Sequence, residues 1–169
     1  MPNWRAMTQD HLAGVSTLAE VVHPGLPESP AMFAERLRLY PQGCRVLARP
    51  QGPVLGYAIS LPILPFSPPP LNSLLGEIPS AARQYYIHDM VLDPALRGGG
   101  YARPVIESLL EHAADYDSIA LVSVYRTAAF WARFGFTVSP RDMAAQLAPY
   151  GEGAVFMTRP ASDEPESID

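Results

Sequence analysis

The sequence predicts an α/β domain built on one mixed sheet, and three observations predict it. Short apolar runs of β type alternate with amphipathic segments of helical period. A glycine-rich turn, Gly98-Gly99-Gly100, separates a strand-like run from a helix. The length of 169 residues suits one domain, drawn here over residues 1–160 and followed by an acidic tail over 161–169.

The element order reads β-α-α-β-β, a long loop, then β-α-β-α-β-β. Thr8 to Val22 is helical: Thr8 is an N-cap candidate, Leu12, Val15, Leu18, Ala19 and Val22 share one stripe, and Pro24-Gly25 stop it. A second helix covers Pro30 to Leu39, with Phe33, Leu37 and Tyr40 on one face. The period then changes. Cys44 to Arg49 and Val54 to Leu61 are β-type runs joined by Pro50-Gln51-Gly52-Pro53. Pro62 to Ser80 holds six prolines among apolar residues, so it is either a substrate-side wall or lid, or a connection. Tyr85 to Leu92 is a strand ended by Asp93-Pro94. A helix follows the glycine turn to about Ala114, with Val105, Ile106, Leu109, Leu110 and Ala113 on its apolar side. Pro104 requires that this helix begin within the three residues before it. Ile119 to Val124 is a continuous apolar strand of the kind found inside a sheet. A short helix over Thr127 to Phe134 stops at Gly135, and Phe136 to Val138 and Ala154 to Thr158 close the sheet. The tail from Ser162 onward reads as disordered.

Composition excludes several function classes. The net charge is −5, all twelve basic residues are arginine, and no basic cluster exceeds Arg36-Leu37-Arg38, which argues against a nucleic-acid surface. Without lysine there is neither a Schiff-base nucleophile nor a P-loop. Cys44 stands alone and reads as a small buried hydrophobe, so no cysteine-based metal site is expected. The first residues lack a signal-peptide core, and the longest apolar stretch, Val54 to Phe66, is too short to span a bilayer. A soluble, cytoplasmic protein is expected, with no membrane partner.

A strand, a glycine turn and a helix starting at that turn make an anion site. The amides point outward, glycine admits close approach, and the helix dipole adds positive potential. The dinucleotide fingerprint fails here because Arg103 or Pro104 falls where its third glycine belongs. What remains is a pyrophosphate carried by coenzyme A, or a tight turn with no ligand.

Arg97-Gly98-Gly99-Gly100-Tyr101-Ala102 resembles the Arg/Gln-x-x-Gly-x-Gly/Ala signature of the GCN5-related N-acetyltransferases. Val91-Leu92-Asp93-Pro94 resembles the end of that family's fourth strand, and Tyr125 to Phe136 resembles its second signature, an Asn-led turn, an aromatic pair and a closing Gly-Phe. The resemblance covers about residues 3–158 and implies a mostly antiparallel sheet splayed between its fourth and fifth strands. It implies acetyl-CoA as acyl donor, no metal, and a primary amine of a small molecule or peptide as acceptor. A homodimer is common among similar proteins.

Residue by residue, the resemblance gives the donor's pyrophosphate to Arg97, Gly98, Gly99, Gly100, Tyr101 and Ala102. It gives the pantetheine arm to the backbone of Met90, Val91 and Leu92, with Trp131 beside the coenzyme. Attack by an amine needs a base, because an alkyl ammonium has a pKa of about 10.4. An imidazole, ordinarily titrating at about 6.5, suits the task, which makes His88 the candidate base, or else a packed strand residue. Strict alternation puts Tyr86, His88, Met90 and Leu92 on one side and Asp89 and Val91 on the other. Asp89 could orient His88 or bind the substrate ammonium. The family often has tyrosine as general acid where this chain has Trp131, and asparagine where it has Tyr125. Tyr125 therefore either donates the proton to the leaving thiolate or packs along the coenzyme. His11, His23 and His112 are expected at exposed helix surfaces or ends. Trp4 and Tyr40 fall in the core or the cleft. Transfer of another acyl group, and a coenzyme-A-binding module without catalysis, are the rival readings.

Overall fold

Period-2 apolar strands and period-3.6 helices pack in this chain as two layers on one sheet. The computed structural model describes residues 1–162, so of the tail read as disordered only Ser162 lies among the described residues. The strands are β1 (Asn3–Ala6), β2 (Cys44–Ala48), β3 (Val54–Ile63), β4 (Gln84–Leu92), β5 (Ser118–Ser123), β6 (Thr137–Val138) and β7 (Val155–Pro160). They form one open sheet in the order β1-β2-β3-β4-β5-β7-β6. Every pairing is antiparallel except β4 with β5, and that parallel step is made by a crossover through α3 (Ala102–His112).

The predicted helix over residues 8–22 begins as a single 3₁₀ turn and becomes α1 at Leu12–Val22. The His11 ring turns back, and its Nδ1 accepts the Thr8 amide at 2.9 Å. The second helix, α2, covers Pro30–Leu39. Ser29 caps it, accepting from the Met32 amide at 3.3 Å, and Pro30 stands where no intrahelical donor is needed. The short helix after β5 is α4 (Ala128–Ala132), shorter than the predicted 127–134. A further short helix, α5 (Ala144–Leu147), was not predicted. No helix among the described residues is long and apolar enough to cross a membrane.

Alternation along β3 divides the core. Ala58 faces α3, where Val105, Ile106 and Leu109 pack with Tyr85, Ile87, Ile119 and Leu121. Tyr57 and Ile59 face α1 and α2, packing with Val15, Leu18, Phe33 and Leu37. Cys44 is fully buried there, and burial pushes its thiol up to about 12, as suits a small hydrophobe.

The proline-rich segment between β3 and β4 has neither helix nor strand beyond Ile63, but it is firmly held. Phe66, Leu71 and Leu75 pack on the core beside Tyr86 and Phe156. The Glu35 carboxylate accepts the amides of Leu75 (2.6 Å) and Gly76 (3.1 Å), while Arg36 pairs with Glu35 at 2.8 Å and donates to the Ser73 carbonyl at 3.0 Å. Arg36 is 1% exposed. Removing one partner of such a buried pair would strand a charge, so the pair fixes this segment as a wall over α2.

Gly43, just before β2, touches β3 so closely that an added Cβ would lie 2.0 Å from the Ser60 carbonyl oxygen. Gly43→Ala is expected to cost about 3 kcal/mol of stability, measured as a lower urea midpoint with unchanged slope. Gly25→Ala, with nothing within 4 Å of the added carbon, serves as the neutral control.

Candidate active site

The site grows from a break in the sheet. β4 pairs with β5 only from Gln84↔Ser118 to Ile87↔Leu121. At the same point the β3–β4 register slips: Ser60 opposes Ile87 and Ile59 opposes Asp89, leaving His88 as the extra residue of a β-bulge. Beyond the bulge β4 pairs with β3 alone, and a cleft of about 890 Å³ opens along its free edge.

The bulge corrects the alternation expected from sequence. His88 and Asp89 lie on the same face, not opposite ones. His88 reaches Glu28, and Asp89 accepts from Tyr57 of the α1/α2 face. Met90 packs against the opposite, α3 cluster. An inserted residue reverses the side on which every later side chain falls.

At one end of the cleft lies the glycine turn. Gly98 and Gly100 adopt φ of +82° and +81°, the left-handed region that favours glycine, and both line the cleft with Arg97, Tyr101 and Ala102. Gly99 does not line it and packs under the Tyr101 ring. α3 starts at Ala102, so Pro104 falls in its first turn. No side chain caps the helix and no acidic residue occupies its first turn, so its leading amides face the cleft as an anion site. Trp4 of β1 anchors the turn, its indole N–H donating to the Tyr101 carbonyl at 2.7 Å.

Met90, Val91 and Leu92 form one wall of the cleft, and Val122, Val124, Phe130 and Trp131 line it as well. Trp131 is also a core residue, edge-on to Phe130 and Phe136. His88 precedes Leu92 by about 13 Å of strand at ~3.3 Å per residue, and of the glycine turn the Arg97 charge still reaches His23.

There two carboxylate–histidine pairs stand together. His88 Nε2 lies 2.7 Å from Glu28 Oε1, with side-chain exposures of 1% and 7%. His88 Nδ1 is buried with no hydrogen-bond partner among the described residues. His23 Nε2 lies 3.1 Å from Asp89 Oδ1, and Tyr57 donates to Asp89 Oδ2 at 2.7 Å. His23 Nδ1 meets the Tyr125 hydroxyl at 2.9 Å, and the two rings stack with centroids 5.5 Å apart. Burial opposes charge on His23, but its bond to Asp89 and the charges of Asp89 and Glu28 outweigh it and hold its pKa above the ordinary 6.5. Burial likewise opposes the Asp89 charge, and the bonds from His23 and Tyr57 with the two histidine charges keep its pKa below the usual range.

Tyr125 and the following Arg126 both adopt positive φ, +55° and +58°. Such a conformation costs an ordinary residue about 1 kcal/mol or more and is more natural to asparagine. It swings the phenol across the cleft mouth to His23.

Two expectations for the remaining histidines are overturned. His23 is not an exposed helix end: it is the C-cap of α1, its side chain 13% exposed between Asp89 and Tyr125. His112 is half-buried, its Nε2 2.6 Å from the Tyr40 hydroxyl, and both pack against Tyr85. Tyr40 therefore belongs with the core. Sequence reasoning also missed Glu28. It lies in the segment between α1 and α2, and only the fold brings it under His88.

The Acetyltransferase (GNAT) family model matches residues 12–136. No relative of curated function matches the sequence. Among solved structures, the loading GNATL domain of CurA from Lyngbya majuscula superposes with a TM-score of 0.72 at 14% identity, covering 95% of this chain and 98% of that one. The ribosomal-protein-S18-alanine N-acetyltransferase from Escherichia coli superposes with a TM-score of 0.65 at 16% identity, over 100% and 99% of the two chains. Rv2747 from Mycobacterium tuberculosis, in complex with CoA and NLQ, gives a TM-score of 0.67 at 18% identity, over 94% and 99%. At these identities the likeness is one of fold.

Proposed function

The chain belongs to the Acetyltransferase (GNAT) family, and from that premise we propose that it transfers the acetyl group of acetyl-CoA to a primary amine of a small molecule or peptide. One observation carries this reading: the cleft joins the amide cradle at Gly98 and Gly100 to the His88–Glu28 pair along the edge of β4 that has left β5. The residues suit the donor. Two left-handed glycines and an uncapped helix start fit a pyrophosphate, and a strand edge with unsatisfied main-chain groups fits an amide-rich arm.

In this reading the turn from Arg97 to Ala102 holds the pyrophosphate through its amides other than those of Arg97 and Gly99, which donate to the Pro94 and Leu96 carbonyls and close the turn, and the main chain of Met90 to Leu92 aligns the arm. The indole of Trp131 gives an apolar wall. The thioester supplies an activated acyl carbonyl, and the protein's task is to present a neutral amine to it. His88 is the base. With Nε2–H given to Glu28, the imidazole lone pair lies on Nδ1, the atom without a partner. Glu28 fixes that tautomer and steadies the imidazolium once the proton has moved. The indole of Trp131 cannot give up a proton usefully, so Tyr125 is the acid for the departing sulfur, its hydroxyl held at the cleft by His23.

Acetyl-CoA with a panel of primary amines is expected to release free thiol only when amine is present, one thiol for each acylated amine. Binding of acetyl-CoA without thiol release from any amine would instead leave a coenzyme-A-binding module, the reading favoured by tryptophan at position 131.

A further inference from the structure

We propose that Asp89, His23 and Tyr125 form a proton relay, in which His23 replaces the proton that the Tyr125 hydroxyl gives to the leaving sulfur. The proposal rests on the acyl-transfer reading above, and three separate elements meet to make it. Asp89 is placed on this face by the β4 bulge, His23 is the C-cap of α1, and Tyr125 is held in a left-handed conformation that brings it to His23. Nothing in a packing role requires the three polar contacts to run in series from Tyr57 through Asp89 and His23 to an exposed phenol, yet they do, at 2.7, 3.1 and 2.9 Å.

The chemistry follows from hydrogen counts. A doubly protonated His23 donates Nε2–H to Asp89 Oδ1 and Nδ1–H to the Tyr125 oxygen, which leaves the phenol hydrogen free for the cleft. When the amine nitrogen forms its bond to the acyl carbon and the carbon–sulfur bond breaks, sulfur leaves with the electron pair. The phenol O–H breaks and S–H forms. The phenol oxygen takes the Nδ1 proton, and His23 becomes neutral while still donating Nε2–H to Asp89. The amine nitrogen sheds its proton to His88 and then to solvent, and solvent recharges His23, so protons balance over the cycle.

The groups facing His23 favour its charged form. Asp89 from β4 and Glu28 from the α1–α2 segment raise its pKa, Arg97 from the glycine turn and burial lower it, and Tyr125 from the β5–α4 turn is neutral; the balance is a raised pKa. Tyr57 of β3 acts through Asp89, to which it donates. The relay therefore works below the His23 pKa and fails as pH rises through it, whereas His88 must be neutral to act.

His23→Gln keeps hydrogen-bonding atoms but no titrating proton, and Tyr125→Phe keeps the ring. Each is expected to lower kcat about 10²-fold, with the KM for acetyl-CoA unchanged. The double variant should be no slower than the slower single, because both remove one unit. Both variants should lose the alkaline limb of the kcat–pH profile. Independently of turnover, NMR titration of the ligand-free protein should place the His23 imidazole above 6.5, and Asp89→Asn should lower it, since only the Glu28 charge then opposes burial and Arg97. Multiplying losses in the double variant, an alkaline limb that survives His23→Gln, or a His23 titration indifferent to Asp89→Asn overturns the relay. A wild type that turns over no faster than His23→Gln overturns the relay alone. A wild type that releases no thiol with any amine overturns acyl transfer and the relay together.

Discussion

Exchanging His88 for glutamine is expected to lower kcat by about 10²–10⁴-fold and to leave acetyl-CoA affinity unchanged. Glutamine fills much of the same space and can still donate to Glu28, so the buried contact at 2.7 Å keeps a partner. What it lacks is a basic nitrogen at the position of Nδ1. An acceptor amine with a pKa of about 10.4 is almost wholly charged at neutral pH, and without the base only its small neutral fraction can attack. The loss should therefore shrink as pH rises towards the amine's own pKa. Steady-state rates from pH 6 to about 10 check this, with calorimetry for donor affinity. The remoteness of His88 from the glycine turn, about 13 Å of strand to Leu92 at ~3.3 Å per residue, is why binding should survive. A Glu28→Gln variant should cost less, since it removes the group that orients the base and not the base.

Gly100→Val is expected to weaken acetyl-CoA binding about 100-fold, near 2.7 kcal/mol, with the fold intact. Nothing lies within 4 Å of the added Cβ, so there is no clash to blame. The cost is conformational: at φ +81° a β-branched residue is a steric outlier. The chain then abandons the left-handed turn, and the amides that converge on the cleft turn away. Because the turn is exposed, the thermal midpoint should barely move. At Gly99 the cost of an alanine would be of another kind, since φ there is not positive but the added Cβ would press on the Tyr101 ring at 3.0 Å.

Much of this fold was legible from local signals. α2 runs from Pro30 to Leu39 as read, because Ser29 caps it and Pro30 starts it, both signals local to the sequence. The glycine turn was legible for a similar reason, since the left-handed φ of Gly98 and Gly100 leaves a mark in residue type. α5 left no such mark, being only four residues long.

The histidine end of the cleft was harder to read. Strict alternation separates His88 from Asp89, and no residue in Gln84–Leu92 announces the bulge that unites them, because the bulge sits where β4 parts from β5. His23 and Glu28 look like surface residues around the end of a helix. Their burial comes from β4, some sixty residues away in sequence, which supplies the partners. Long-range packing decided both histidine pairs, and single-sequence periodicity does not reach that far.

Calorimetric titration of acetyl-CoA into the wild-type and Gly100→Val proteins asks whether the glycine turn binds the coenzyme. The expected result is one site on the wild type with a dissociation constant in the micromolar range, about −8 kcal/mol at 1 μM, binding of free CoA at the same site, and both weakened about 100-fold in the variant. Absence of heat with either coenzyme, or binding that ignores the loss of the glycine turn, would contradict it.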